Sequence, residues 1–317
     1  MGKIEKKQRV HINILLSFNE AYVQHAAVML CSIFENNKSD IFDIYVMYTG
    51  LRPDLMAKLR IFVEDYGNKI TYIKVDIANI GLPNLEHHYI SKETYLRVFL
   101  GDYIPADVNR LIYLDVDTSV IGNIEDLWGE DLEGKVIGAI EDSPNDERYA
   151  RLGLSRDNGY FNAGVQLIDV SLWRKYNFTK EALDFIRDHP DKIIQHDQDV
   201  MNVVAQERWK RISFKWNMLN SFFFSPPLVE SKYAAELEKA KKDPRIVHFS
   251  GGVKPWMAWE KHPYYKEYYK YLELTPWKGF KPSITSRWNA YKFPRNLLTI
   301  LSLDQLFFGI KRFFEKY

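Results

Sequence analysis

Residues 11–37 read HINILLSFNEAYVQHAAVMLCSIFENN, and this stretch decides the fold class. Its opening apolar run, rich in Ile and Leu, predicts a buried β-strand over residues 11–18. Polar residues interrupt the run at Asn19 and Glu20, and the apolar residues that follow recur at helical spacing. A buried strand that leads directly into a helix is the first half of a βαβ unit, from which parallel sheets are built.

The same alternation of apolar runs and amphipathic segments continues through most of the chain. Further strands are predicted at residues 42–50, 70–77, 110–118, 136–142, 161–170, 209–217 and 245–251. Helices are predicted at residues 53–67, around 92–99, at 178–188 and at 197–206. The pattern predicts an α/β fold in which helices flank a mixed sheet. Its reactive residues fall at strand ends, where open α/β sheets bind their ligands.

The composition excludes several classes of protein. The chain has 317 residues, of which 46% are hydrophobic, and its net charge is +1. This is enough apolar material for a sizeable core, and the near-neutral charge argues against a protein that wraps nucleic acid. The one cysteine, Cys31, lies in an apolar run and is predicted to be a core residue rather than a nucleophile. Without a disulfide, an apolar signal segment or a membrane-spanning run, we expect a cytoplasmic protein.

The composition changes after about residue 276. The segment that follows is rich in Lys, Arg and bulky apolar residues and poor in acids. We therefore predict a main domain over residues 1–275 and a small helical appendage over residues 276–317, with an amphipathic basic helix from about Leu297. Such a helix can lie on an anionic membrane, here the inner face of the plasma membrane, or it can pack on the core or on a partner protein. The aromatic residues before it can form a stacking platform for sugars or a packed hinge: Trp256, Trp259, Tyr264, Tyr265, Tyr268 and Tyr269.

The strongest local feature is the acidic pair of Asp115 and Asp117, which follows the apolar run LIYL. At the end of a strand the backbone can turn both carboxylates onto one hard cation, which could bridge a diphosphate and neutralise a leaving nucleotide. Taken alone, the pair also fits a solvated loop or a helix N-cap, and a second pair with the same spacing occurs at Asp197 and Asp199. By itself the pair leaves a metal site and a surface loop both open.

Further motifs occur in a fixed order around the acidic pair. Tyr-Leu-Arg at residues 95–97 precedes it, and Phe-Asn-Ala-Gly at 161–164, His-Asp-Gln-Asp at 196–199 and His-Phe-Ser-Gly-Gly-Val-Lys-Pro-Trp at 248–256 follow it. With these motifs in this order, the chain closely resembles glycosyltransferase family 8, the retaining transferases that include bacterial lipooligosaccharide galactosyltransferases and glycogenin. The resemblance runs from about residue 11 to 256 and implies a GT-A fold, a nucleotide-sugar-binding mixed sheet flanked by helices.

The resemblance implies a metal site made of Asp115, Asp117 and His248. Two carboxylates and one neutral imidazole suit Mn²⁺, or alternatively Mg²⁺, with the diphosphate of the donor in the remaining positions. Gly251 would let the backbone approach the phosphates, and the Lys254 ammonium would hold the β-phosphate as it leaves. A lone histidine is more often an ordinary core or surface residue, but the glycine and the lysine near His248 favour the ligand role.

The resemblance also implies which residues bind the donor nucleotide. Ser17, Phe18, Asn19 and Tyr22 end the first strand and begin the first helix, and the matching positions of the family hold the uracil and the ribose. Many family members carry Asp in place of Asn19 and Asn in place of Ala21, so the contacts to the base differ in this chain. Tyr22 also fits a core aromatic residue at a helix start.

The catalytic positions follow from the same resemblance. Asp197 and Gln198 lie at a predicted helix start, near the donor sugar. Gln198 is expected to stabilise positive charge on the anomeric carbon while the acceptor attacks from the leaving-group face, because an amide is a poor nucleophile. Without the resemblance, Arg97 would fit a surface cation and Asp197 a helix N-cap. The remaining residues expected to contact the UDP-sugar are Arg97, Val116, Asp142, Asn162, Ala163 and Gly164.

The resulting hypothesis is a metal-dependent retaining hexosyltransferase, which moves galactose or glucose from UDP to an acceptor glycan on a lipid or a protein. Two alternatives stay open. One is a catalytically silent UDP-sugar-binding protein that docks a partner, and the other is a metal-dependent hydrolase of the UDP-sugar. The catalytically silent alternative is disfavoured, because the chain keeps the acidic pair, His248 and Lys254. If the amount of glycosylated product increases only when acceptor is added, the reaction is transfer rather than hydrolysis.

Overall fold

The computed structural model describes residues 9–77, 92–257 and 262–281. Within these ranges the strands are β1 His11–Ser17, β2 Ile41–Tyr48, β3 Lys69–Lys74, β4 Arg110–Leu114, β5 Thr118–Val120, β6 Ile137–Ala139, β7 Val165–Asp169, β8 Trp209–Arg211, β9 Met218–Leu219 and β10 Ile246–His248. The α-helices are α1 Val23–Asn36, α2 Pro53–Asp65, α3 Leu100–Tyr103, α4 Glu125–Trp128, α5 Asp146–Leu152, α6 Val170–Lys175, α7 Phe178–Asp188, α8 Asp197–Ala205, α9 Ala234–Ala240 and α10 Tyr265–Leu272. The predicted α/β fold with a mixed sheet is confirmed.

The large sheet has seven strands in the order β3-β2-β1-β4-β7-β6-β8. β1 pairs in parallel with β2 and β4, whereas β7 runs antiparallel to β4 and β6. The register aligns Leu15 of β1 with Tyr113 of β4. Because these two strands are parallel, their carboxyl ends meet at one edge of the sheet, which brings Ser17 and Asp115 to the same place.

Both faces of the large sheet are buried. Ile14 of β1 faces the main core, which β1 shares with α1 and α2, whereas the next residue, Leu15, faces a second core that contains Trp173 of α6. A strand buried on both faces reads as a continuous apolar run rather than an alternating one, as residues 11–18 do. Cys31 of α1 is fully buried, and burial raises the pKa of its thiol to about 11, so its prediction as a core residue is confirmed.

A second sheet brings a distant part of the chain to the acidic pair. It consists of β5, β10 and β9, with β10 antiparallel to β5 and parallel to β9. The register places His248 opposite Thr118. Since Thr118 directly follows Asp117 in the chain, this pairing carries His248 to the acidic pair.

Some predicted strands are shorter than expected. The strand predicted at residues 110–118 is two strands, β4 and β5, separated by a turn. In this turn the backbone N–H of Asp115 donates to the carbonyl of Gly164 at 2.8 Å, and the carbonyl of Asp115 accepts from the hydroxyl of Thr118 at 2.8 Å. The strand predicted at residues 161–170 likewise begins only with β7. The bond from Asp115 to Gly164 continues the register of β4 and β7 by one residue. The chain then turns at Asp115, whose carbonyl is bonded by Thr118 instead of by a neighbouring strand.

Two other predicted elements are also corrected. The helix predicted around residues 92–99 is a 3₁₀ helix, Lys92–Phe99, that continues as α3. The strand predicted at residues 209–217 is reduced to β8, and a 3₁₀ turn at Phe214–Trp216 separates it from β9. Both aromatic residues of this turn are buried in the main core, so packing rather than strand pairing accounts for their place in the sequence.

The described part of the chain ends at residue 281. α10 packs against α1, where the hydroxyl of Tyr268 lies 2.7 Å from Nδ1 of His25. Trp277 and Phe280 follow α10 and lie partly buried against the main core. The amphipathic helix predicted from Leu297 lies outside the described residues. Among the helices of the described ranges, none has both the length and the apolar character needed to cross a bilayer.

Candidate active site

The acidic pair lies in the turn between β4 and β5. The side chains of Asp115 and Asp117 are only 27% and 14% exposed, so neither is a freely solvated loop residue. The bond from the N–H of Asp115 to the carbonyl of Gly164 ties this turn to the start of β7. The turn therefore sits at the carboxyl edge of the sheet, where several strand ends meet.

His248, at the end of β10, completes a group of three with the acidic pair. Its Nε2 lies 3.3 Å from Oδ1 of Asp117 and 3.9 Å from Oδ2 of Asp115. One ligand atom from each of the three residues lies within 4.8 Å of the others, a spacing that one shared cation can satisfy. The structure thus brings together the three residues predicted as metal ligands.

Two asparagines orient His248 toward the carboxylates. Oδ1 of Asn162 accepts from the N–H of Gly164 at 3.0 Å and from Nδ2 of Asn217 at 2.9 Å. The other end of the Asn217 amide, Oδ1, lies 3.0 Å from Nδ1 of His248. Because a backbone N–H can only donate, this chain of bonds places the proton of His248 on Nδ1 and turns the lone pair of Nε2 toward the carboxylates.

Gly164 makes room for two of the three candidate ligands, His248 and Asp115. A Cβ at this position would lie 2.2 Å from Cε1 of His248 and 2.9 Å from Oδ2 of Asp115. No side chain can occupy such a position without moving both residues, so close packing explains the glycine of the Phe-Asn-Ala-Gly motif. The space beside Gly164 and the orientation of His248 fit a divalent cation that accepts oxygen and imidazole ligands, such as Mn²⁺.

Lys254 pairs with the second carboxylate of the acidic pair. Its ammonium group contacts Oδ2 of Asp117 and donates to the carbonyl of Phe249 at 2.8 Å. Burial by itself would raise the pKa of Asp117, but the ammonium group of Lys254 beside it holds this pKa well below the usual range of an aspartate. Asp117 is therefore ionised at neutral pH.

Arg97 joins several segments of the site. It is buried, its Nη2 donates to Oδ1 of Asp115 at 2.9 Å, and its Nη1 donates to the carbonyl of Ala163. Its Nε lies 2.8 Å from Oδ2 of Asp197, and its guanidinium carbon lies 3.9 Å from the ring centroid of Tyr113. Arg97 is therefore not a surface cation. Its contacts fix the acidic pair, the Phe-Asn-Ala-Gly turn and the start of α8 relative to one another.

Asp197 begins α8 in a buried position. Burial raises the pKa of Asp197 to about 7, and the paired Arg97 offsets this only in part. The residue before it, His196, has a φ of 51° and a ψ of −133°, a conformation that residues other than glycine rarely adopt. Such strain concentrates at functional sites, where the surrounding structure imposes the position of a side chain.

Gln198, the next residue of α8, has its side-chain amide held at both ends. The N–H of Ala163 donates to Oε1 at 3.0 Å, and Nε2 donates to Oδ2 of Asp142 at 2.8 Å. The backbone donor fixes which end of the amide is the oxygen. Nδ2 of Asn162 approaches the same carboxylate oxygen of Asp142 at 3.5 Å. Gln198, Asp142 and Asn162 are thus neighbours in one hydrogen-bonded group, whereas Asp197 pairs with Arg97.

The residues predicted to contact the nucleotide lie at the end of β1 and just after it, beside the carboxyl edge of the large sheet. Oγ of Ser17 lies 3.1 Å from the hydroxyl of Tyr113, which donates to Oδ1 of Asp115 at 2.8 Å. Ser17 is therefore linked to the acidic pair through one side chain. Phe18 is 3% exposed and belongs to the main core.

Asn19 and Tyr22 lie in the turn that leads into α1. Oδ1 of Asn19 accepts a hydrogen bond from the N–H of Ala21 at 3.1 Å and so caps this turn. The half-buried ring of Tyr22 lies edge-on to Trp256, which in turn stacks on His25 with ring centroids 3.6 Å apart. These contacts join the end of β1 to the loop after β10, and they place Trp256 in a packed interface rather than on an open platform for sugars.

Sequence reasoning did not identify Tyr113 or Asn217. Tyr113 carries a detectable signal, because it precedes Asp115 by two residues and therefore shares its side of the strand. Asn217 carries none, since it follows a buried aromatic turn and belongs to no motif. Only its hydrogen bond to His248 reveals its role.

The second acidic pair, at residues 197 and 199, does not resemble the first. Oδ2 of Asp199 accepts from the backbone N–H groups of Ile194 and Gln195 at 2.8 and 2.7 Å, and it pairs with Arg151 at 2.9 Å. The other oxygen accepts from the hydroxyl of Tyr160 at 2.7 Å. Asp199 is fully buried and holds the loop before α8, so it stabilises the strained start of that helix.

Comparison with known proteins matches a family model, described as glycosyl transferase family 8, to residues 13–260. General stress protein A of Bacillus subtilis is 32% identical over 275 residues, which cover 84% of this chain and 94% of that protein. A lipopolysaccharide 1,2-glucosyltransferase of Escherichia coli K12 is 26% identical, over 86% of this chain and 80% of the enzyme. A lipopolysaccharide 1,3-galactosyltransferase of Salmonella typhimurium is 23% identical, over 84% of this chain and 79% of the enzyme.

Among solved structures, the chain is similar to the galactosyltransferase LgtC in complex with donor and acceptor sugar analogs. The TM-score is 0.77 at 22% sequence identity, over 84% of this chain and 96% of that one. At this level of identity the likeness shows the fold, which is of the GT-A type.

Proposed function

Since this chain belongs to glycosyltransferase family 8, we propose that it transfers a hexose, galactose or glucose, from a UDP-sugar to an acceptor glycan with retention of the anomeric configuration. The observation that carries the proposal is the convergence of Asp115, Asp117, His248 and Lys254 at the carboxyl edge of the sheet. Two of the similar proteins are named for glucosyl and galactosyl transfer, which supports a hexose donor.

In this proposal Asp115, Asp117 and His248 hold a divalent cation, Mn²⁺ or Mg²⁺. When bound there, such a cation supplies Lewis-acid neutralisation of the negative charge that grows on the diphosphate as UDP leaves. Lys254, next to Asp117, adds a positive charge for the β-phosphate. Gly251, with a φ of 89°, gives the loop a conformation in which the main chain can approach the phosphates.

The hydrogen-bonded group around Gln198 is proposed as the pocket for the donor sugar. Asp142, Asn162 and Asp197 offer acceptors and donors to the hydroxyls of the hexose. Oε1 of Gln198, held by the N–H of Ala163, presents partial negative charge to the anomeric carbon. An amide oxygen fixed in this way is better suited to electrostatic stabilisation than to nucleophilic attack.

We propose a front-face displacement for the transfer step. The bond between the anomeric carbon and the β-phosphate oxygen breaks, and its electron pair stays on the phosphate. The acceptor hydroxyl attacks the anomeric carbon from the same face, and a phosphate oxygen of UDP takes its proton. Attack from the leaving-group face gives retention without a covalent enzyme intermediate.

The acceptor is proposed to be a lipid-linked or cell-surface glycan. Two of the similar proteins are lipopolysaccharide glycosyltransferases, which supports a glycan of this class. Residues 276–317, proposed as an appendage to a catalytic domain over residues 1–275, carry basic and bulky apolar residues such as Lys311 and Phe314. We propose that they hold the enzyme at the cytoplasmic face of an anionic membrane, close to such acceptors.

The test is an assay of UDP release from a panel of UDP-sugars with Mn²⁺, with and without acceptor glycans. We expect release from UDP-galactose or UDP-glucose that needs the cation and disappears in Asp117→Asn. The matched control is Asp126→Asn, which removes the same charge at an exposed position. A product that grows only with acceptor separates transfer from hydrolysis. No release and no binding of UDP by calorimetry would overturn the proposal.

A further inference from the structure

The loop from Phe249 to Trp256 is fixed at both ends and open in the middle. Phe249 is fully buried in the main core, and Trp256 stacks on His25 of α1. Between them Gly251 and Gly252 are exposed, and a Cβ at either position would have no heavy atom within 4 Å. The main chain at Lys254 is held, since its carbonyl accepts from the N–H of Met257 at 2.8 Å, so the ammonium group changes partner by rotation of its own long side chain.

Lys254 occupies a place beside the candidate cation site. Its ammonium group is on Oδ2 of Asp117, while Oδ1 of the same carboxylate faces Nε2 of His248 at 3.3 Å. The side chain of Lys254 is 11% exposed and that of Asp117 is 14% exposed, so water screens their attraction poorly. The lysine therefore neutralises part of the charge that a cation would otherwise neutralise.

A divalent cation held by Asp115, Asp117 and His248 would lie within a few ångströms of this ammonium group. Like charges at such a separation repel strongly in a partly buried site. The proposed donor provides another partner for the lysine, because its diphosphate carries negative charge and lies next to the cation. Lys254 thus has one partner before the nucleotide binds and another afterwards.

We infer that Lys254 competes with the divalent cation for Asp117 in the free protein and is drawn away by the nucleotide diphosphate, so that it couples cation binding to nucleotide binding. The inference rests on the proposed function, since it uses the UDP-sugar as the second partner. It goes beyond a phosphate-binding role, because it assigns the same lysine an opposing effect on the cation. The cation is then held tightly only when the donor is present, by the reciprocity that links two binding equilibria.

The test is isothermal titration calorimetry on the full chain with Mn²⁺ alone, and with UDP in saturating Mn²⁺. We expect Lys254→Met to bind Mn²⁺ alone about three- to tenfold more tightly than the wild type, because the competing charge is gone. We expect the same variant to bind UDP about tenfold more weakly, because a charge-assisted contact is lost. Lys180→Met is the matched control, since it removes the same charge from an exposed helix position and should change neither affinity.

The opposite signs of the two effects distinguish this coupling from a structural role. A residue that merely supports the loop would weaken both affinities when replaced. Lys254→Gln, measured beside Lys254→Met and checked by thermal unfolding, covers a failure of the first variant to fold. Unchanged or weaker binding of Mn²⁺ alone in a folded variant overturns the inference and leaves the proposed function standing. A wild type that binds neither Mn²⁺ nor UDP overturns the proposed function itself.

Discussion

At the scale of single residues, the site is specified by hydrogen bonds that leave each side chain one orientation. The N–H of Gly164 fixes the amide of Asn162, which fixes the amide of Asn217, which fixes the ring of His248. A histidine that donates through Nδ1 presents a neutral Nε2 to a cation. Gly164, Asn162 and Asn217 thus orient the imidazole of the proposed cation site.

Replacement of Asn217 tests this orientation. We expect Asn217→Leu, which removes the acceptor for Nδ1 of His248, to weaken Mn²⁺ binding in the presence of UDP by about 10- to 100-fold. Asn217→Asp keeps an acceptor for the histidine and should retain more of the affinity. Calorimetry of Mn²⁺ with the two variants gives the comparison. Equal losses in both would mean that the fixed orientation of His248 is not what matters at this position.

Replacement of Gly164 tests how closely this position packs against His248 and Asp115. The added methyl of Gly164→Ala would meet both His248 and Asp115, so we expect a destabilisation of about 1–3 kcal/mol together with a loss of Mn²⁺ affinity. Gly50→Ala is the control, because a Cβ there has open space around it and should leave the affinity unchanged. Urea denaturation and calorimetry measure the two effects. A Gly164→Ala protein with normal affinity would show that the contact relaxes at little cost.

At the scale of elements, Arg97 and Arg174 show two uses of a buried or half-buried arginine. Arg97 lies between β4, the turn before β7 and the start of α8, and its partners include the carboxylates of Asp115 and Asp197. Arg174 of α6 donates to backbone carbonyls around the end of α3, among them those of Gly101 and Ile104. Both arginines hold elements together, but only Arg97 does so inside the site.

This difference predicts separate outcomes for two matched replacements. Arg97→Lys and Arg174→Lys each keep the charge and lose the planar fork of donors, so we expect both proteins to lose about 2 kcal/mol of stability. We expect only Arg97→Lys to lose affinity for UDP with Mn²⁺, because only it frees the acidic pair from its position. Chemical denaturation and calorimetry on both variants test this. A similar loss of affinity in Arg174→Lys would point to a general loosening of the fold.

The interface between α1 and α10 depends on a buried neutral histidine. Burial lowers the pKa of His25 to about 3, whereas the unfolded chain titrates near pH 6.5. The unfolded state therefore takes up this proton first as the pH falls. The stability that His25 contributes is present above about pH 6.5 and is lost toward pH 3, at up to about 1.4 kcal/mol per pH unit.

We expect His25→Phe to reduce this acid sensitivity. Phenylalanine can keep the stack on Trp256 but cannot take up a proton, so the variant should gain about 2 kcal/mol relative to the wild type between pH 7 and pH 5. Urea denaturation at the two pH values provides the measurement. His11→Gln, at an exposed position, is the control and should follow the wild type. A pH-independent difference between His25→Phe and the wild type would contradict the argument.

At the scale of the whole molecule, the main core extends to the end of the described part of the chain. α10 packs on α1, and Trp277 and Phe280 cover part of the main core just before the described residues end. We therefore expect a protein without residues 282–317 to unfold within about 3 °C of the full chain and to bind UDP equally well. We expect it to lose binding to anionic vesicles in a sedimentation assay, with neutral vesicles as the control. A markedly lower unfolding temperature would instead mean that the appendage packs on the core.

Much of this molecule could be predicted from its sequence. Apolar runs and helical spacing identified strands of the large sheet and helices that flank it, because burial leaves a periodic pattern in each element. The order of the motifs identified the family. Some errors fell at residues 115–117 and 161–164, where hydrogen bonds from side chains and turns, rather than periodicity, set the backbone. Others fell at residues 92–99, which form a 3₁₀ helix, and at 214–216, where buried aromatic residues form a turn. The first two segments belong to the candidate site.

Residue types and local spacing were enough to predict the fold class, the family and the chemical character of the candidate ligands, because each is a property of short segments and of their order. The tertiary structure alone decided that Asn217 orients His248 and that Lys254 rests on Asp117. It also placed the buried Arg97 between Asp115 and Asp197, whereas the resemblance implied only a contact to the donor. These contacts join residues far apart in the chain. They depend on how parallel strands share an edge and how β10 pairs with β5, which no local pattern encodes.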